Sequence, residues 1–117
     1  MTTTTQTMAQ AWLDVLAERR RQVEAEGWTL QHDDEHPAGD LAAAASAYAL
    51  FASDELNPKS LGSCEYDQVA PFMWPFHIKW WKPNLVRRAL VKAAALLLAE
   101  IERLDRAKLQ RKEASDA

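Results

Sequence analysis

The stretch Leu90-Val91-Lys92-Ala93-Ala94-Ala95-Leu96-Leu97-Leu98-Ala99-Glu100-Ile101-Glu102-Arg103-Leu104 decides the fold. With Leu85 before it, Leu90, Ala94, Leu97, Leu98, Ile101 and Leu104 recur at steps of three and four, the signature of one face of an α-helix. Pro83 or Asn84 can open that helix, and the pattern predicts its end near Lys112. So long a helix is unusual in a small domain, and its end, Ala107 to Lys112, is expected to project or to pack on a second chain. The apolar run Ala93 to Ala99 is flanked by Lys92 and Glu100. It falls far short of the roughly 18 residues that span a bilayer, so no membrane span is expected.

Two further helices are predicted upstream. From Asp40 to Ala52, positions Leu41, Ala44, Ala45, Tyr48 and Ala52 share a face. A face so rich in alanine implies close approach to a neighbouring helix. Asp40 can cap this helix, or Pro37 can sit in its first turn. From Thr7, a reasonable N-cap, to Glu26, the positions Met8, Trp12, Val15, Leu16, the Arg19 stem and Val23 predict a helix with one buried stripe. Gly27 falls where a helix C′ residue belongs. Arg19-Arg20-Arg21 spans about 200° of helix, so one arginine must approach the buried edge and either snorkel or meet a carboxylate. Residues 1–6 and 113–117 read as loose tails.

Residues 53–83 break the helical pattern. Turn formers from Asp54 to Ser63 are followed by Tyr66, Phe72, Trp74, Phe76, Trp80 and Trp81, with Pro71, Pro75 and Pro83 among them. The prolines argue against a regular strand or a long helix. A connection of about 30 residues with this aromatic load must fold back over the helices or carry a partner surface. The expected fold class is therefore all-α: a single domain, residues 1–117, of three main helices with a long aromatic-rich connection. Its alanine-lined core is thin for a chain with five tryptophans. A homo-oligomer is expected on that ground.

Composition narrows the function classes. A 48% hydrophobic share with well-represented charge fits a folded domain. The start Met-Thr-Thr-Thr-Thr-Gln-Thr lacks the basic and apolar regions of a signal peptide, and the lone Cys64 has no internal disulfide partner, so a cytoplasmic protein is expected. The net charge of −3 disfavours polymeric nucleic acid as a partner. Its distribution is uneven: Glu24 to Asp40 holds six acids and no Lys or Arg, whereas Lys82 to Lys112 holds nine basic residues against three acids. Either the acidic turn neutralises part of the basic helix, or that helix faces an anionic ligand.

Three constellations carry chemistry. The acidic turn His32-Asp33-Asp34-Glu35-His36 offers oxygen and nitrogen ligands for magnesium or manganese, but its aspartates can equally cap the next helix. Pro37 disfavours helical geometry at His36, which undercuts a zinc pair on one helical face. The second is the carboxylate set of an all-helical, magnesium-dependent nucleotide pyrophosphohydrolase. Glu102 and Asp105 can share a face, but Glu100 and Glu102 diverge and the second helix supplies only Asp40. The third is a pocket in which Trp74, Trp80 and Trp81 stack on a flat base while Lys82, Arg87, Arg88 and Arg103 hold phosphate near a helix N-terminus. The alternative is that these aromatics simply complete the core. No glycine loop or nucleophile elbow supports covalent catalysis.

Taken together, Glu-Arg-Arg-Arg-Gln-Val-Glu-Ala-Glu-Gly-Trp-Thr (18–29), His-Asp-Asp-Glu-His (32–36), Trp-Pro-Phe (74–76), Trp-Trp-Lys-Pro (80–83) and the segment 90–106 resemble a family of small bacteriophage and prophage proteins. The likeness covers about residues 12–107. It departs at Ala94, where a glycine is expected, and at Phe76, where tryptophan is usual. The resemblance implies a phage accessory protein, a class that often inhibits host immunity. One such class sequesters cyclic nucleotide signals, as anti-Thoeris and anti-CBASS proteins do, through aromatic stacking and arginine–phosphate contacts in small oligomers. The link to it is by size, context and pocket chemistry.

The expectation is thus a non-enzymatic, oligomeric, cofactor-free binder of a nucleotide-like ligand or a host defence protein, in the host cytoplasm. Trp74, Trp80 and Trp81 would stack. Lys82, Arg87, Arg88 and Arg103 would hold phosphate, and Asp33, Asp34 and His36 would orient ribose hydroxyls or brace the arginines. The alternatives are the magnesium-dependent pyrophosphohydrolase and a protein–protein inhibitor that acts through the aromatic loop.

Overall fold

Three helices carry the fold: α1 (Thr3–Glu24), α2 (Asp40–Leu56) and α3 (Val86–Asp116). The computed structural model describes residues 3–25, 31, 34–35, 39–57, 70–83 and 85–116, and no strand occurs among them. No described helix is long and apolar enough to cross a membrane. The helices are longer than the sequence pattern predicts. Thr7 is not the N-cap of α1 but lies inside it, its Oγ1 donating to the Thr3 carbonyl at 2.9 Å. Helix α2 begins after Gly39, whose φ of 83° is left-handed and suits glycine, with Asp40 in the first turn, where its charge complements the helix dipole. Helix α3 continues to Asp116, and its residues beyond Ala107 are exposed.

Helix α3 is the hub, contacting both α2 and α1. Toward α2 it turns Ala89, Ala93, Leu96 and Ala99, which meet Leu41, Ala44, Ala45, Ala47, Tyr48, Phe51 and Ala52 in one core. Small side chains on both helices let the axes approach closely, as the alanine pattern predicts. Such a tight seam has little room for growth. Ala44 is fully buried. Ala44→Leu should destabilise the fold by about 1–3 kcal/mol through overpacking, read as a lowered midpoint in urea denaturation followed by circular dichroism.

The aromatic connection closes one end of this seam. Trp74 and Trp81 are buried, with Ala70, Met73 and Phe76 half-buried around them. Tight turns shape the loop: the Trp74 amide donates to the Pro71 carbonyl, the Trp80 amide to His77 and the Trp81 amide to Ile78, each at 2.9 Å. A single 3-10 turn, Ile78–Trp80, is capped by His77, whose side chain accepts from the Lys79 amide. The described part of the connection, 70–83, therefore folds back over the helices.

Helix α1 departs from expectation. Its buried residues are Glu18, Arg19 and Gln22, while Met8, Trp12 and Leu16 of the expected inward stripe are exposed. At about 100° per residue, Glu18 and Gln22 lie roughly a third of a turn from the Trp12–Leu16 stripe, so α1 is rotated to turn a polar flank inward. The surface it meets explains why. Arg88 and Glu102 of α3 lie there, and they pair with Glu18 and Arg19. With α1 in this orientation both charges find partners, and removing one partner of such a buried pair would cost about 3–5 kcal/mol. The stripe predicted for α3 is likewise not inward: Leu90, Leu97, Ile101 and Leu104 are each about half exposed.

Candidate functional site

Where α1, the 3-10 turn and α3 converge, a small cleft is lined by Glu18, Arg21, Gln22, Tyr48, Trp80, Lys82 and Lys92. Its enclosed part measures about 10 Å³, room for a single water or one small polar group. Cations outnumber the one carboxylate around it. The carboxylate is Glu18, whose side chain is fully buried and gathers three donors. Arg21 grips it with two bonds, Nε to Oε1 at 2.7 Å and Nη2 to Oε2 at 2.8 Å. Arg88 reaches Oε1 from α3, and Gln22 Nε2 donates to Oε2 at 3.1 Å. Burial alone would raise the Glu18 pKa, but the hydrogen bonds and charges of Arg21 and Arg88 outweigh it and hold the carboxyl below its ordinary value.

That arrangement fixes Gln22. With its amide nitrogen committed to a carboxylate, flipping the group would set oxygen against oxygen. Gln22 Oε1 is consequently turned elsewhere, is buried, and has no hydrogen-bond partner among the described residues. A buried acceptor left unmatched costs about 1–3 kcal/mol.

Trp80 forms the outer wall. It is 40% exposed, against 7% for its neighbour Trp81. The ammonium groups of Lys79 and Lys82 lie 5.3 and 5.4 Å from its ring centroid. Lys92 ties this wall to α3 by donating to the Lys82 carbonyl at 2.9 Å, and it also sits 5.3 Å from the Tyr48 ring centre. Exposed cation–π contacts are worth only about 0.5–1 kcal/mol each. A base stacked on an aromatic ring gains about 1–3 kcal/mol, enough to displace either lysine head from the ring.

The residues expected to form one pocket are distributed over the molecule. Trp80 and Lys82 line the cleft, and Arg88 reaches it only through its ion pair with Glu18. Trp74 and Trp81 are core: Trp81 stacks on Tyr48 with centroids 4.9 Å apart, and Trp74 meets Tyr48 edge-on at 5.5 Å. Their faces are taken, so in this structure stacking on a ligand falls to Trp80. Arg87 pairs with Asp14 at 2.8 Å. Hydrogen bonds from Gln10 and Arg87 hold the Asp14 carboxyl below its ordinary value. Arg103 pairs with Glu100 on its own helix. Asp34 accepts from Arg106 at 2.8 Å, an ion pair made some 14 residues, or about 21 Å, along α3 from Lys92. Asp34 thus braces an arginine but does not rim the Trp80 cleft. Asp33, His36 and the remainder of the His32–His36 metal reading, apart from Asp34 and Glu35, lie outside the described residues.

Sequence reasoning missed Glu18, Gln22, Tyr48, Lys79 and Lys92. The spacing of Glu18 and Gln22, one helical turn apart, was available, but nothing in it marks a polar flank as the inward one. Compared with protein-family models, curated proteins and solved structures, the chain matches none.

Proposed function

We propose that this protein is a non-enzymatic binder of a flat, anionic ligand of the nucleotide class, held at the Trp80 cleft. The observation that carries the reading is the juxtaposition there: a half-exposed indole flanked by Lys79 and Lys82, beside the unmatched, buried Gln22 Oε1. The base would stack on Trp80, phosphate would draw Lys79 and Lys82 off the ring, and an amino or hydroxyl group would donate to Gln22. The cleft is too small to enclose such a ligand, so most of it would lie on the Trp80 surface. The resemblance to phage accessory proteins supports a role in sequestering a cyclic nucleotide signal of host defence, within the host cytoplasm.

The pyrophosphohydrolase alternative has less support. Glu100 and Glu102, two of its three α3 carboxylates, are each engaged by an arginine, Arg103 and Arg19. An inhibitor acting through the aromatic loop would have to work without Trp74 and Trp81, which face the core.

Isothermal titration calorimetry with a panel of cyclic and linear nucleotides tests the proposal. Binding heat is expected for at least one, and Trp80→Ala should weaken it about ten- to hundredfold without loss of helicity. No heat from any member at micromolar protein would sink the idea.

A further inference from the structure

We propose that the exposed apolar face shared by α1 and α3 is the interface of a two-fold homodimer. The inference does not rest on the nucleotide reading. It begins with α3, whose segment Ala89–Ala99 is apolar all round apart from Lys92, the composition of a helix enclosed on every side. One side packs on α2 and a second meets α1. The third carries Leu90, Ala94, Leu97, Ile101 and Leu104, spaced four, three, four and three, the rhythm of a helix–helix seam with no charged residue on it. Beside it, Trp12, Val15 and Leu16 of α1 join Ala94, Leu97, Leu98 and Ile101 to line an open groove of about 510 Å³.

The face is large. Trp12 is 67% exposed, and Met8, Leu16, Leu90, Leu97, Ile101 and Leu104 are each about half exposed. Together they leave on the order of 700 Å² of apolar surface in water, above the few hundred Å² a monomer tolerates and close to the ~800 Å² per partner of a stable interface. The chain by itself is also expanded: its radius of gyration is 16.2 Å, against about 13 Å expected for a compact domain of this length.

A second copy is the occupant that fits. The groove and the Leu90–Leu104 stripe that forms its α3 wall lie on the same face of one molecule, so a two-fold operation can set this face of each copy against the same face of the other, an isologous contact. A seam without charge offers no polar feature by which to select a different partner. Among the described residues, the polar contact of α1 with α3 leaves this surface uncovered, and another copy is present wherever the chain is made. Lys92 lies about 200° around α3 from Leu90 and Ala94, so the dimer would keep both Trp80 clefts on its outer sides.

Sedimentation velocity on the full chain across a concentration series tests this. A species of twice the 13.2 kDa chain mass is expected. Leu97→Glu combined with Ile101→Glu should yield monomer with helicity retained. Should that variant unfold, Leu104→Lys, near the exposed end of the seam, should weaken the dimer at least about tenfold. A monomeric wild-type chain at the highest soluble concentration overturns the proposal, as does a dimer that survives unchanged in either folded variant.

Discussion

Glu18→Ala should lower the stability of the fold by about 2–4 kcal/mol, among the largest effects of any single polar substitution in this chain. The residue is fully buried and joins α1 to α3 through Arg21, Arg88 and Gln22. Removing it strands two guanidinium groups and an amide. Both arginine side chains are about a third exposed and can recover some water, which holds the cost below that of a fully buried pair. The effect depends on pH in a defined direction. Because the folded-state pKa of Glu18 is depressed, the unfolded chain binds the proton more readily, and stability rises with pH across the titration. The contribution is fully present above the ordinary glutamate value of 4.5 and is lost as pH falls through the lower folded-state value. Urea denaturation followed by circular dichroism at neutral pH and at about pH 3 checks this. The wild type should lose more stability on acidification than Glu18→Gln, which cannot titrate. Equal losses would mean that Glu18 is not the group that links α1 to acid stability.

Trp81→Ala should cost about 3–5 kcal/mol, whereas Trp80→Ala, one residue away, should stay within about 1 kcal/mol of wild type. Trp81 stacks on Tyr48 and meets Trp74 and Phe51 edge-on, with centroids 5.0 and 6.4 Å away. Deleting it opens a cavity at the end of the α2–α3 seam and breaks three aromatic contacts, each worth about 0.5–1.5 kcal/mol beyond its area. Trp80 makes no ring–ring contact of this kind among the described residues and faces the lysines. The same denaturation curves, run on both variants, decide the matter. The reverse prediction holds for ligand: Trp80→Ala should lose binding while remaining folded. A loss for Trp81→Ala as small as about 1 kcal/mol would show that Trp81 does not anchor the core, and a loss of about 3–5 kcal/mol for Trp80→Ala would show that Trp80 is structural as well.

The periodicity of residues 90–104 and the alanine face of α2 made the all-helical fold legible, and that alanine face announced a close neighbour; that the neighbour is the Ala89, Ala93, Leu96 and Ala99 face of α3, and not its leucine stripe, was not legible. The proline-punctuated aromatic segment was legible as an irregular connection that either folds back or carries a partner surface, and in its described part, 70–83, Trp74 and Trp81 join the core. That an arginine of 19–21 must approach the buried edge was also readable, with snorkelling or a carboxylate partner as the alternatives, and Arg19 takes the second at Glu102, 3.1 Å away. The candidate site was legible only in part. Lys82 next to Trp80 is a local juxtaposition that the sequence displays. The convergence of Gln22, Tyr48 and Lys92 on them joins three separate helices and leaves no trace in spacing.

What the sequence alone determined is which segments are helical and which side chains share each face, because those follow from 3.6 residues per turn. Tertiary structure alone decided how each helix is rotated about its axis. Periodicity cannot say which face a neighbour will cover, and here the choice went to ion pairs between distant residues, Glu18 with Arg88 and Arg19 with Glu102. Those pairs turned the polar flank of α1 inward, left Trp12 and Leu16 beside Leu97 and Ile101 in water, and so made an outward apolar face from stripes whose spacing reads as core.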